Sequence, residues 1–331
     1  MDPPGVAVLG LGPMGAPVAG HIARAGFPLQ VWNRTRAASD ASGLRSVGRP
    51  GELRARIVLS VLPDIDQFDE VAPEPVIRRW AAAGTTHVAV LSTTSPEKVL
   101  GLAERLGRHG LTVLDAPMSG GDTGARAGTL SLMVGADPEA YHTVEPVLRS
   151  FAATVEHMGP PGAGSAAKLC NQVIVAGTLV AVAEALDLAR RAGLSGERLV
   201  RVLRGGLAAG AVLDAKAVKI LERDFRPGGS AANQLKDLRY ATALADTLGA
   251  RLPQTRRTRA LFEEVLRRGL GDADHAAVYE ILAAPDEHDG EEEEKEEKEK
   301  EEEKEEEKEE EKEGEEGAEG DGGEEGEAGD R

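Results

Sequence analysis

The chain has a single cysteine, Cys170, among 331 residues, so no disulfide can form within it. A lone thiol of this kind reads as a small buried apolar residue. Aromatic residues are scarce while Ala and Gly are abundant, a balance that suits a helix-rich α/β protein with tight turns. No uninterrupted apolar run reaches about 18 residues, the length of a membrane span. Met1-Asp2-Pro3-Pro4 has neither the basic nor the apolar region of a secretion signal. These absences point to a soluble cytoplasmic protein. The body also lacks a charge excess, although the whole chain has a net charge of -18. Residues 286–331 hold 28 acidic and 7 basic side chains, a net of -21, which leaves the rest at +3. A nearly neutral body gives no electrostatic reason to bind nucleic acid or a membrane. No metal-ligand set is assigned.

Short apolar runs alternate with helical stretches through the first half. Val6-Ala7-Val8-Leu9 suits a buried parallel strand. A Gly-rich turn, a helix from Met14 to Ala25 and a stop at Gly26 follow. Further strands are expected at Phe27–Trp32, Ile57–Leu62, His87–Leu91, Thr112–Asp115 and Leu130–Val134. This alternation predicts a doubly wound, mostly parallel sheet covered on both faces, a Rossmann domain over residues 1–162. Gly159-Pro160-Pro161-Gly162-Ala163-Gly164 breaks the pattern. A long helix from Ser165 to about Arg191 carries few charges, so most of its surface is expected to be buried. The chain then stays helical in pattern, which predicts an all-α domain over 163–285 for substrate binding and association. The segment 286–331, with only Glu and Lys from Glu291 to Glu313, reads as a solvated tail, disordered or partly helical.

The turn after the first strand is Gly10-Leu11-Gly12-Pro13-Met14-Gly15. In a strand–turn–helix setting this spacing predicts a dinucleotide site. The first glycine makes the tight turn, the second lets backbone approach a pyrophosphate, and the third lets helix and strand pack closely. The helix N-terminus adds unpaired N–H groups and a positive dipole end. At the end of the second strand, where a carboxylate would hold the ribose 2′-hydroxyl of NAD, the residues are Asn33-Arg34-Thr35-Arg36. Arg34 can pair with a 2′-phosphate, and Asn33 and Thr35 can hydrogen-bond it. The expected cofactor is therefore NADP(H) in preference to NAD(H).

Two later stretches bear on the reaction: Asp115-Ala116-Pro117-Met118-Ser119-Gly120-Gly121, and Gly162-Ala163-Gly164-Ser165-Ala166-Ala167-Lys168-Leu169-Cys170-Asn171-Gln172. With the glycine turn, and in this order, they resemble the β-hydroxyacid dehydrogenase family over residues 5 to about 284. That family includes 3-hydroxyisobutyrate dehydrogenases and tartronate semialdehyde (2-hydroxy-3-oxopropionate) reductases. The resemblance implies Lys168 as the catalytic residue. Lys168 and Asn171 lie three apart on a helix and share a face. A partly buried lysine with a lowered pKa can protonate the developing alkoxide as hydride arrives, with Asn171 orienting it. Ser119 and the amides of Gly120 and Gly121 form a compact cradle for a carboxylate. The resemblance also implies cofactor contacts from Leu62, Pro63, Thr93 and Lys236. His275 fits a family segment and reads as structural.

The runs Lys168–Ala176 and Arg204–Ala217 resemble the 2-hydroxy-3-oxopropionate reductases in particular, which implies reduction of that semialdehyde to glycerate. The sequence departs from the family pattern at Asn33, at Val90, and at Gly228-Gly229-Ser230-Ala231-Ala232-Asn233-Gln234, a less bulky run that would widen the pocket. The alternatives are a 3-hydroxyisobutyrate dehydrogenase, an imine-reducing enzyme on the same scaffold, and a non-catalytic binding protein acting through its acidic tail. Retention of Lys168 argues against the last two. A homodimer or homotetramer is expected, because the long apolar helix has more apolar face than one Rossmann domain can cover.

Overall fold

The computed structural model describes residues 3–35 and 43–284. Arg36 and the acidic segment 286–331, with the expectations placed on them, lie outside the described residues. Met1–Leu282 form one unit by their mutual contacts.

The strands are β1 (Val6–Leu9), β2 (Leu29–Trp32), β3 (Ile57–Ser60), β4 (His87–Val90), β5 (Thr112–Asp115), β6 (Met118–Ser119), β7 (Leu130–Gly135) and β8 (Ala152–Gly159). They form one sheet in the order β2-β1-β3-β4-β5-β7-β6, with β8 beside β7. The strands from β2 to β5 in that order are parallel. β7 runs antiparallel to β5 and β6, and parallel to β8. Every residue of β1 and β3 is buried, which is why their apolar runs do not alternate with polar residues. Successive side chains still go to opposite faces. Val6, Val8, Ile57 and Leu59 join Val18 and Ile22 in one core, while Ala7, Leu9 and Val58 join Phe68 and Trp80 in the other.

Helices α1 (Gly15–Arg24), α2 (Ile65–Val71), α3 (Glu74–Ala82), α4 (Pro96–Gly107), α5 (Gly121–Ala127) and α6 (Pro138–Leu148) connect the strands. Beyond Gly159 the described elements are helical: α7 (Ala163–Arg191), α8 (Gly196–Leu203), α9 (Ala211–Leu221), α10 (Ala231–Leu248), α11 (Pro253–Arg267), α12 (Tyr279–Leu282) and a short 3₁₀ turn at His275–Val278.

Three expectations are corrected. β8 was not expected, because at the edge of the sheet it buries only Ala152 and Val155 and leaves Thr154, Glu156 and His157 exposed. The two-residue β6 is too short to show a pattern. α7 is not mostly buried. Leu169, Ala176, Leu179, Ala183 and Leu186 face β7, α9 and α10, but Ile174 and Leu188 stand 66% and 70% exposed on the other side. α7 is long and apolar enough to suit a membrane span, yet half of that stretch is buried inside the protein, as in a core helix.

Candidate active site

The sheet reverses its winding between β1 and β3, and in an open α/β sheet the crevice that takes a ligand lies at such a point, outside the carboxyl ends of the strands. Gly10 has φ +92°, and a Cβ there would lie 2.6 Å from the Val61 carbonyl oxygen. A Cβ on Gly15 would lie 2.0 Å from the Gly10 carbonyl oxygen, so the turn closes only with glycine at both positions. Gly12 has nothing within 4 Å of that direction, which is the open approach a pyrophosphate needs. α1 starts at Gly15 without a side-chain cap; the Ala16 and Val18 N–H groups bond back to the Gly12 and Met14 carbonyls and Pro17 has none, so this end offers an anion chiefly the positive end of the helix dipole. Leu11 is buried, Met14 half-buried, and Pro13 exposed at the mouth of the turn. These features fit a dinucleotide.

Asn33, just after β2, is hydrogen-bonded within the protein. Its Oδ1 accepts the Leu11 N–H at 2.9 Å and its Nδ2 donates to the Thr35 carbonyl at 3.0 Å, so it braces the glycine turn. Arg34 and Thr35 are exposed beside it.

The second half of the crevice is built where α7 meets the sheet. Asp115, at the end of β5, is fully buried and accepts the N–H groups of Gly162 at 2.7 Å and Ser165 at 2.5 Å. A carboxylate at a helix N-terminus satisfies unpaired donors and complements the dipole. Burial raises the Asp115 pKa, and these bonds oppose the rise. A Cβ on Gly164 would lie 2.2 Å from the Met133 carbonyl oxygen, so helix and strand touch backbone to backbone. The start of α7 is thus held to the sheet, one turn before Lys168.

Lys168 is only 6% exposed. Its Nζ donates to Asn171 Oδ1 at 3.1 Å, and the same oxygen accepts from Ser119 Oγ at 3.3 Å. The three residues assigned to chemistry from the sequence therefore meet, although Ser119 comes from β6. Gly120 and Gly121 follow at the exposed start of α5. Burial pushes the Lys168 ammonium down to about 8, with Asp237 opposing and Lys236 reinforcing the fall.

Lys236, on α10, reaches back to the sheet and donates to the carbonyls of Thr93 and, at 3.3 Å, Pro63. Leu62 is half-buried in the same loop. Lys236 also pairs with Asp237 Oδ1 at 3.2 Å, while Gln172 donates to Asp237 Oδ2 at 2.6 Å. Burial raises the Asp237 pKa against these partners. Asp115, Gln172 and Asp237 received no role from the sequence. The available signal was a charged residue closing the apolar run Thr112-Val113-Leu114-Asp115, and another next to Lys236.

Two further residues complete the comparison. His275 has its Nδ1 3.0 Å from Gln234 Oε1, and burial pushes it down to about 4, so it is neutral at ordinary pH. Cys170 is exposed, which corrects the expectation of burial. On a helix at 100° per residue it falls on the outward side with Ile174, opposite Leu169 and Gln172. Among the described residues no group of three or more His, Cys, Asp or Glu could hold a metal.

Comparison with known proteins agrees with this architecture. Residues 5–159 match the model for the NAD binding domain of 6-phosphogluconate dehydrogenase. Residues 162–282 match that for the NAD-binding of NADP-dependent 3-hydroxyisobutyrate dehydrogenase. The chain is 35% identical over 282 residues to the 2-hydroxy-3-oxopropionate reductase of Escherichia coli K12, covering 83% of this chain and 95% of that one. It is 32% identical over 295 residues to the NAD-dependent L-serine dehydrogenase of Pseudomonas aeruginosa, covering 84% and 97%. The solved structure of Mycobacterium tuberculosis 3-hydroxyisobutyrate dehydrogenase with L-serine superposes with a TM-score of 0.73 at 30% identity, covering 85% of this chain and all of that one.

Proposed function

The chain belongs to the β-hydroxyacid dehydrogenase family and is an NAD(P)-dependent oxidoreductase acting on CH–OH; from that premise we propose that it reduces 2-hydroxy-3-oxopropionate to glycerate with NADPH, Lys168 being the general acid. The observation that carries this reading is the convergence of Lys168 and Ser119 on one oxygen of Asn171.

The glycine turn Gly10–Gly15 would hold a nicotinamide dinucleotide, which would supply the hydride. The substrate carboxylate rests on Ser119 and on the amides that open α5, where backbone donors lack intrahelical partners. Its aldehyde oxygen faces the Lys168 ammonium. As the carbonyl carbon accepts hydride, the C=O π pair takes a proton from Lys168 Nζ, leaving an alcohol and a neutral lysine. In reverse, neutral Lys168 removes the hydroxyl proton as hydride leaves the carbon. A buried lysine near 8 is suited to both directions, because general acid–base catalysis works best with a pKa near the working pH. Asn171 holds the Lys168 amine toward Ser119, and Asp115 sets the helix that carries both.

The cofactor preference rests on Arg34. The ribose 2′ position of a dinucleotide lies at the end of the second strand, where residues 33–35 offer an exposed guanidinium and no carboxylate. The similarity to a 2-hydroxy-3-oxopropionate reductase supports the substrate, and the similarity to a 3-hydroxyisobutyrate dehydrogenase structure makes methylmalonate semialdehyde the principal competitor. Purified protein assayed with NADPH and NADH against tartronate, methylmalonate and succinic semialdehydes and glyoxylate tests both assignments. The expected result is the highest kcat/KM for tartronate semialdehyde with NADPH. A higher value with NADH, or with methylmalonate semialdehyde, overturns the corresponding half. We also propose a homo-oligomer, dimer or tetramer, associating through the outward stripe of α7 at Ile174 and Leu188; sedimentation as monomer alone would contradict it.

A further inference from the structure

One cluster beside the crevice is used by neither the hydride step nor the substrate cradle. Tyr240, on α10, donates from its hydroxyl to Asp64 Oδ2 in the loop after β3. Asp64 is 4% exposed and caps the N-terminus of α2. Lys98 of α4 stands 3.5 Å from Asp64 Oδ2 and 2.7 Å from Asp66 Oδ1. Two ammonium groups approach the Tyr240 ring, with Lys98 Nζ 5.3 Å and Lys236 Nζ 5.6 Å from its centroid. Both distances are within the range of cation–π attraction.

We propose that Tyr240 is a positioning residue, which bolts α10 to the Asp64 loop and so fixes Lys236 relative to the proton donor Lys168. The proposal rests on the reading of Lys168 as the general acid. Tyr240 follows Lys236 by one helical turn, so both project from the same face of α10. One fastens to a side chain of the β3 loop, and the other to carbonyls of the β3 and β4 loops. Neither bond joins residues near in sequence, so each ties the helical half to the sheet half.

The consequence for Lys168 follows from how its two charged neighbours are held. Asp237 is gripped by Gln172 of α7, the helix that carries Lys168, and keeps its place whatever Lys236 does. Lys236 has no such grip from α7: it is held by the Thr93 and Pro63 carbonyls and by its own neighbour Asp237, with the Tyr240 ring beside it. Loss of the Tyr240 bond to Asp64 slackens the seam between α10 and the β3 loop in which Lys236 is held. The groups facing Lys168 are Asp237 and Lys236 from α10, and the uncharged Asn171 on α7 with Ser119 from β6 beyond it. Those facing Tyr240 are Asp64 from the β3 loop, Lys98 from α4 and Lys236. Against desolvation by burial, Tyr240 and Lys236 help hold the Asp64 carboxyl below its ordinary range, so it accepts the hydrogen bond as an anion. Lys236 favours the neutral form of Lys168. Loosening it lets Lys168 keep its proton to higher pH. Reduction needs that proton, so the alkaline fall in kcat moves upward.

The test uses full-length protein with Tyr240→Phe. The pH dependence of kcat for reduction is measured together with hydrogen–deuterium exchange of the nucleotide-free protein. Tyr240→Phe keeps the ring and removes only the bond. The expected result is an alkaline limb displaced to higher pH in Tyr240→Phe. Amide exchange over residues 62–66 should rise about three- to ten-fold, the range for losing one hydrogen bond. A limb at the wild-type pH in Tyr240→Phe overturns the proposal even if the melting temperature falls, since a purely structural bond would behave so. If wild type itself has no alkaline limb, the reading of Lys168 fails. The bolt is then decided by exchange alone: faster exchange at 62–66 supports it and unchanged exchange rejects it.

Discussion

In the proposed mechanism Lys168 trades stability for chemistry. Its ammonium is buried, and its pKa falls from an ordinary 10.5 to about 8. Between those values the unfolded chain binds the proton that the folded one has released, so the lysine's contribution to stability rises with pH across that window. Below about 8 both states are protonated and the folded state bears the full cost of the buried charge. Lys168→Met is therefore expected to raise stability at pH 7 by up to about 3 kcal/mol while abolishing turnover. Urea unfolding at pH 7 and pH 10 checks this, and the gain should shrink at the higher pH. At this scale the sequence was informative where a residue type was out of place. A lysine in the Ala- and Val-rich run of α7 was legible as out of place, and the structure buries it. Asn33 was legible as a position, but its hydrogen bond to Leu11 was not, because that depends on how the β1 and β2 loops approach each other.

Among the elements, the start of α7 governs the site. Gly164 packs against the backbone of β7, and Asp115 receives the helix's first donors. Gly164→Ala should destabilise the protein by at least about 1–3 kcal/mol, the usual cost of overpacking, and lower kcat by moving Lys168. Thermal melting and steady-state kinetics of the one variant check both effects. A second element-scale test concerns the turn at His275–Val278. His275 is pushed down to about 4, so as pH falls from about 6.5 toward 4 the unfolded chain takes up a proton that the folded chain refuses, and stability is lost. The loss is about 3 kcal/mol at most, and His275→Asn should flatten the melting temperature over that range. The buried parallel strands were legible because both faces are covered and their sequences are uniformly apolar. β8 was not, because an edge strand buries so few residues that Ala152-Ala153-Thr154-Val155-Glu156-His157 carries no strong pattern. The bonds from α10 to the β3 and β4 loops were also illegible: they span more than 140 residues, and nothing local in the sequence encodes them.

For the whole molecule, charge is divided along the chain, with a body at +3 and a C-terminal segment at -21. Every residue assigned to cofactor, substrate or proton transfer lies before position 237. Deleting residues 286–331 is expected to leave kcat and KM within about two-fold of wild type, at a salt concentration that screens long-range fields. A larger change would give the acidic segment a part in the activity. The account as a whole stands on a division of labour: the glycine turn binds the dinucleotide, and Lys168 moves the proton. Single-turnover hydride transfer from NADPH to tartronate semialdehyde in Lys168→Ala, with the NADPH dissociation constant measured on the same sample, tests that division most directly. The predicted result is a transfer rate reduced about 10²- to 10⁴-fold with NADPH affinity unchanged within about two-fold. Transfer at near the wild-type rate would contradict it.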